Sequence, residues 1–157
     1  MKIFFNRISR NEAYGGGSHF VTAMVDFLKS MGHEILFYMH DIKTNKIIND
    51  IDLIFLIDPR PGDIGYSLEH VLQYKNKVNP NVKILHRVNE CDVRKNTSFM
   101  DDILIETSKH TDKTIFISNW LKDYFITKNF KNAQSASVIY NGCNVDHFYP
   151  SKNKKQA

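Results

Sequence analysis

A chain of 157 residues, 42% hydrophobic and 24% charged, has the length and balance of one globular domain with its own core. It holds no run of about 18 apolar residues, which excludes a spanning helix. Its first apolar run breaks too early for a signal peptide, and Cys91 and Cys143 form neither a disulfide framework nor a zinc-ligand spacing. A reducing cytoplasmic setting without a bound metal is therefore the default, and the net charge of +4 suits either a solvated basic face or weak attraction to phosphorylated ligands and anionic membrane surfaces. No recognition helix, zinc module or aromatic platform appears, so no nucleic-acid partner is expected.

The elements follow in order. Residues 2–8 read as a buried first strand through Ile3, Phe4, Phe5 and Ile8. Gly15, Gly16 and Gly17 then form a loop, and Ser18 caps a helix over 18–31. Its apolar stripe is Phe20, Met24, Phe27, Leu28 and Met31. Gly32 ends it, and a second strand covers 34–39. Residues 41–48 are a short helix or a loop. A near-continuous apolar run over 52–57 predicts a strand covered on both faces, closed by the turn residues Asp58, Pro59, Arg60, Pro61 and Gly62. A helix starting near Ile64 and passing through Val78 follows, then a strand over 82–88, a polar loop over 89–96 and a helix over 97–110. The last elements are a strand over 114–117, a helix capped by Ser118, a short strand over 137–140, and a polar tail from 151.

This alternation predicts an α/β fold: a three-layer Rossmann-like domain with a mostly parallel, doubly wound sheet over 1–150, followed by a tail or linker over 151–157. In the common doubly wound order the first and fourth strands are neighbours at the switch point, where ligands bind outside the carboxyl ends of the strands. The two loops richest in chemistry then face each other. One is the triple glycine between a strand and a helix N-terminus, which favours an anion. It is not the dinucleotide fingerprint, because Phe20 stands where a third glycine is required. The other holds His86, Arg87, Asn89, Glu90, Asp92 and Arg94. Arg87 and Arg94 pair with phosphate or with nearby carboxylates. Glu90 and Asp92 accept a sugar hydroxyl, do acid-base work, or belong to an internal salt-bridge network. His86 is either part of that chemistry or a satisfied core histidine. Arg60 reaches a ligand or fixes a rigid turn, and Trp120, Tyr124 and Phe125 read as packing residues.

Several stretches resemble the N-terminal, acceptor-side domain of GT-B glycosyltransferases of the family 4 type. They are the Gly15-Gly16-Gly17 turn opening a helix, the 30–34 segment Ser-Met-Gly-His-Glu, and the 86–95 segment His-Arg-Val-Asn-Glu-Cys-Asp-Val-Arg-Lys. The 115–122 segment Ile-Phe-Ile-Ser-Asn-Trp-Leu-Lys and the 139–150 segment, which begins Ile-Tyr-Asn-Gly and ends Phe-Tyr-Pro, complete the set. The resemblance implies a retaining transfer of sugar from a nucleotide-diphosphate donor to a carbohydrate, glycolipid or glycoprotein acceptor, with no cofactor. It implies donor-phosphate contacts at Gly15, Gly16 and Gly17 and catalytic roles for His86, Glu90 and Asp92. Acceptor contacts fall to Arg60, Arg87, Asn89, Arg94 and Asn141. It also implies a C-terminal GT-B domain, in cis or in trans, that supplies the nucleotide site this chain lacks. The chain alone is then expected to be inactive, since half a site cannot position both substrates. Its exposed cleft face favours self-association. Two other classes remain: a nicotinamide-dependent Rossmann oxidoreductase, which would place Asp41 on a ribose, and a non-catalytic binding subunit.

Overall fold

A computed structural model defines the fold and describes residues 1–8, 15–61 and 65–143. Among the described residues, six strands, β1 (Lys2–Phe5), β2 (Glu34–Leu36), β3 (Leu53–Leu56), β4 (Lys83–Val88), β5 (Lys113–Phe116) and β6 (Ser137–Val138), are interspersed with five helices. The helices are α1 (Gly15–Ser30), α2 (Leu68–Lys77), α3 (Asp92–Lys95), α4 (Met100–Ser108) and α5 (Asn119–Ile126). All strand pairs are parallel, in the order β2-β1-β3-β4-β5-β6. The expected three-layer α/β class is therefore present. The strand order differs from expectation in one respect that matters: β3 lies between β1 and β4. Both faces of β3 are apolar, and its buried residues Ile54, Phe55 and Leu56 need a neighbour on each side. The switch point accordingly falls between β1 and β3.

The two faces of the sheet are covered differently. Ile3, Phe5 and Phe55 point to α1 and meet Phe20, Val21, Met24, Val25 and Leu28. Phe5 and Phe55 stack with ring centres 4.9 Å apart. Phe27 and Met31, expected in that stripe, are exposed, and Val21 and Val25 take their place. The opposite face packs α2 against Phe4, Ile54, Leu56 and Ile84. It packs α4 and α5 against Val88 and Phe116.

Local chemistry explains most boundaries. The Ser118 hydroxyl accepts from the Leu121 N–H at 3.2 Å and starts α5 as expected. Ser18 does not cap α1, because the helix already begins at Gly15. Residues 41–48 form a hairpin turn with an antiparallel bridge between His40 and Ile47. Asp41 Oδ1 accepts from the backbone of Lys43 and Thr44 there, which leaves it committed to the turn rather than to a ribose. Among the described residues no helix is long and apolar enough to cross a membrane. β1 ends at Phe5, short of the expected residue 8, and Ile8 is exposed rather than buried. Residues 9–14 ahead of the triple glycine, 62–63 of the expected turn, 144–150 of the last motif and the tail lie outside the described residues.

Candidate functional site at the carboxyl edge of the sheet

The switch point is built around Asn6, which follows β1 and is 1% exposed. Its Nδ2 donates to the carbonyls of Asp58 at 2.6 Å and Tyr66 at 2.8 Å, and its Oδ1 accepts from the Ile57 N–H at 2.7 Å. One amide side chain thus satisfies the polar backbone where β1 and β3 end side by side. Gly65, at φ +98°, crosses so close to this hub that a Cβ would stand 2.3 Å from the Asn6 carbonyl oxygen. Sequence reading passed over Asn6; its one signal was a polar residue breaking the first apolar run.

Asp58 leaves β3 and holds two arginines. Arg60 grips it with Nε at 2.9 Å and Nη2 at 2.6 Å, and Arg7 approaches at 3.2 Å. Burial alone would raise the Asp58 carboxyl, but the Arg60 bonds and the Arg7 charge outweigh it and hold the group below its usual range. Arg60 is thereby committed to a rigid turn, the second of its two expected roles.

Alternation along β4 sends His86 and Arg87 to opposite faces. His86 points into the core, fully buried, in register with Leu56 and Thr114. It stacks on Phe130 with ring centres 6.4 Å apart. Among the described residues neither ring nitrogen has a hydrogen-bond partner. Burial pushes its pKa down to about 3, against a small opposing pull from the Asp58 charge. A neutral imidazole sealed in the core cannot exchange protons with a substrate, so the structure removes His86 from the catalytic set.

Arg87 points the other way, toward α1, and is 4% exposed. Its guanidinium carbon lies 3.7 Å from the centre of the Phe20 ring, and Nη2 donates to Asn141 Oδ1 at 2.8 Å. Nη1 has no partner among the described residues. Burial lowers its pKa to about 10, and no carboxylate opposes that shift. Desolvating such a cation costs several kcal/mol, whereas a cation–π contact returns only about 0.5–2 kcal/mol. The fold leaves this charge under-compensated.

The 89–96 stretch, expected as loop, contains α3. Asp92 acts there as a cap for the next helix. Its Oδ1 accepts from the N–H groups of Phe99 at 3.1 Å and Met100 at 2.9 Å and from the Thr97 hydroxyl at 2.6 Å. Its Oδ2 accepts from the Asp101 N–H at 3.1 Å. Desolvation works to raise this carboxyl, and these four donors together lower it. With its lone pairs spent on α4, Asp92 does not fit the catalytic role. Glu90 is different. Its side chain is 20% exposed and pairs with Lys95 at 3.1 Å and Arg94 at 3.4 Å. Arg94 also donates to the Asn89 carbonyl at 3.1 Å. This is the internal salt-bridge network weighed from sequence, with Glu90 still at the surface.

The triple glycine is the first turn of α1 rather than a loop before it. Gly16 and Gly17 are exposed, and a Cβ on either would meet nothing within 4 Å. The opening N–H groups of a helix have no intrahelical acceptor, so α1 presents donors and a positive dipole end at this edge. α1 opens with Gly15, Gly16 and Gly17, Arg87 sits against Phe20 of the same helix and bonds Asn141, and Asn89, Glu90 and Arg94 follow β4. A shallow depression of about 390 Å³ near Leu72, Gln73, Glu106 and His110 lies between α2 and α4, away from this edge.

No family model and no curated protein matches the chain. Solved structures do. An "alpha-glucosyltransferase in complex with UDP-glucose and DNA containing an abasic site" superposes at TM-score 0.55 and 15% identity, over 89% of this chain and 41% of that one. An "alpha-glucosyltransferase (AGT) in complex with UDP" does so at TM-score 0.52 and 15% identity, over 83% and 38%. At this identity the likeness is one of fold: the chain folds as part of these glycosyltransferases does, and it spans about two-fifths of their length.

Proposed function

We propose that the chain is the acceptor-side half of a retaining glycosyltransferase that takes its sugar from a nucleotide-diphosphate donor. A second domain, in cis or in trans, supplies the nucleotide site. The observation that carries this reading is the open glycine turn at the start of α1, placed beside the switch point between β1 and β3. Helix N-termini there are suited to phosphate groups. Asn89, Glu90 and Arg94, which follow β4, are the groups offered to the acceptor, while Asn141 holds Arg87. Glu90 is the candidate for a catalytic or hydroxyl-orienting carboxylate. The fold neighbours with UDP or UDP-glucose support the donor class. The nicotinamide reading loses support, because Asp41 is occupied within its own turn.

Gly16→Val tests the donor contact. A Cβ at this position meets nothing within 4 Å among the described residues, so the melting temperature should stay within about 2 °C of the parent. In the two-domain enzyme the donor KM should rise about tenfold or more, equivalent to roughly 1.4 kcal/mol of lost binding. An unchanged donor KM would remove α1 from the site.

A further inference from the structure

Arg87 carries a charge that its surroundings do not balance. Asp58 pairs with Arg60 and Arg7, and Glu90 with Lys95 and Arg94, so neither carboxylate pairs with Arg87. Among the described residues its guanidinium donates to the neutral amide of Asn141, and Nη1 has no partner. Its guanidinium sits against Phe20. Phe20 shares a helix face with Gly16, one turn away, so the buried cation lies beside the open start of α1. Two independent sources of positive potential lie along this helix: the dipole end of 16-residue α1 and the guanidinium of Arg87, a residue 4% exposed.

We propose that Arg87 and the first turn of α1 form an oxyanion site that takes a phosphoryl group. Asn141 serves as the partner of the guanidinium until the anion replaces it. A planar guanidinium offers paired N–H donors to phosphate oxygens, and the helix start offers backbone N–H groups to the same oxygens. The assignment deepens the glycosyltransferase reading and rests on it for the identity of the ligand. The phosphoryl group belongs either to the donor diphosphate or to a phosphorylated acceptor.

The test begins with inorganic pyrophosphate and the full chain. The site predicts a saturable rise in melting temperature that weakens with added salt. Arg87→Met, which keeps the apolar stem, should weaken pyrophosphate binding at least tenfold, and Arg87→Lys should weaken it less. Should Arg87→Met fail to fold, Asn141→Ala takes its place: freeing the guanidinium should leave pyrophosphate affinity equal or higher. Absence of saturable binding to the parent chain, or parent-like affinity in Arg87→Met, or a loss of affinity in Asn141→Ala, overturns the site.

Kinetics of the enzyme completed by its second domain distinguish the two sources. A raised KM for the nucleotide sugar in Arg87→Met places the donor diphosphate there. A raised KM confined to a phosphorylated acceptor places the acceptor phosphate there. Sugar transfer with both KM values unaltered overturns the anion site and leaves the glycosyltransferase reading standing. Arg87-dependent pyrophosphate binding in a protein that transfers no sugar does the reverse.

Discussion

Taking the protein from pH 7 to pH 4.5 should cost it about 2.5 kcal/mol of stability through His86 alone, seen as a fall of roughly 5–10 °C in melting temperature. The sign follows from burial. The folded state holds this imidazole neutral down to a pKa of about 3, whereas the unfolded chain binds a proton near 6.5. Between those values the unfolded state carries more protons, so stability is present above pH 6.5 and declines steadily as pH falls toward 3. Carboxylates held below their usual range, among them Asp58, Asp92 and Asp112, add their losses only below about pH 4.5, near their unfolded pKa values. The window from 6.5 to 4.5 therefore reports mainly on His86. His86→Leu should flatten the slope in that window. It should leave stability at pH 7 equal or higher, because two unpartnered buried nitrogens are replaced by apolar atoms. Turnover of the two-domain enzyme should persist. A slope unchanged by the substitution, or a collapse of turnover in a folded variant, would return His86 to the active site.

Asp92 should divide in the opposite way from a catalytic carboxylate. Asp92→Ala strips the acceptor from three backbone N–H groups at the start of α4 and from Thr97. The expected cost is about 2–4 kcal/mol, at the upper end for a lost cap because the donors are partly buried. Asp92→Asn keeps an oxygen in the capping position and should recover all but about 1 kcal/mol, since asparagine caps helices about as well as aspartate. Turnover in the two-domain enzyme should follow stability: nearly normal for Asn, reduced for Ala only as far as folding is reduced. Chemical denaturation alongside initial-rate measurement of both variants decides the matter. An Asn variant that is stable but slower by orders of magnitude would make Asp92 a reacting group.

These two residues also show what a sequence can and cannot disclose. The strands were legible because a parallel sheet buries both faces and its strands read as apolar runs; β3, with Leu53, Ile54, Phe55 and Leu56, is the plainest. The Ser118 cap was legible because its acceptor and donor lie three residues apart. The role of Asp92 was not, because its partners lie five to nine residues away across the turn between α3 and α4. The direction of His86 was not either. A histidine inside a polar run looks like chemistry until strand alternation sends it into the core and its neighbour Arg87 to the other face. Strand order is set by long-range pairing, and no local period encodes the placement of β3 between β1 and β4. That placement moved the switch point to Asn6, Asp58 and the start of α1. The triple glycine was located correctly but read as a loop, because glycine lowers helix propensity. Here it occupies the first turn, where the N–H groups lack helical partners in any case.

The central claim is that the start of α1 at the switch point is where the donor phosphates come to rest. Amide chemical-shift mapping of this chain titrated with inorganic pyrophosphate, the part of the donor assigned to it, tests it most directly. The account predicts a saturable set of shifts centred on the amides of Gly15, Gly16, Gly17 and Ser18, with Arg87 and Asn141 moving alongside. Shifts centred instead on the depression between α2 and α4, around Leu72 and His110, or no saturable shift at any concentration tested, would contradict it.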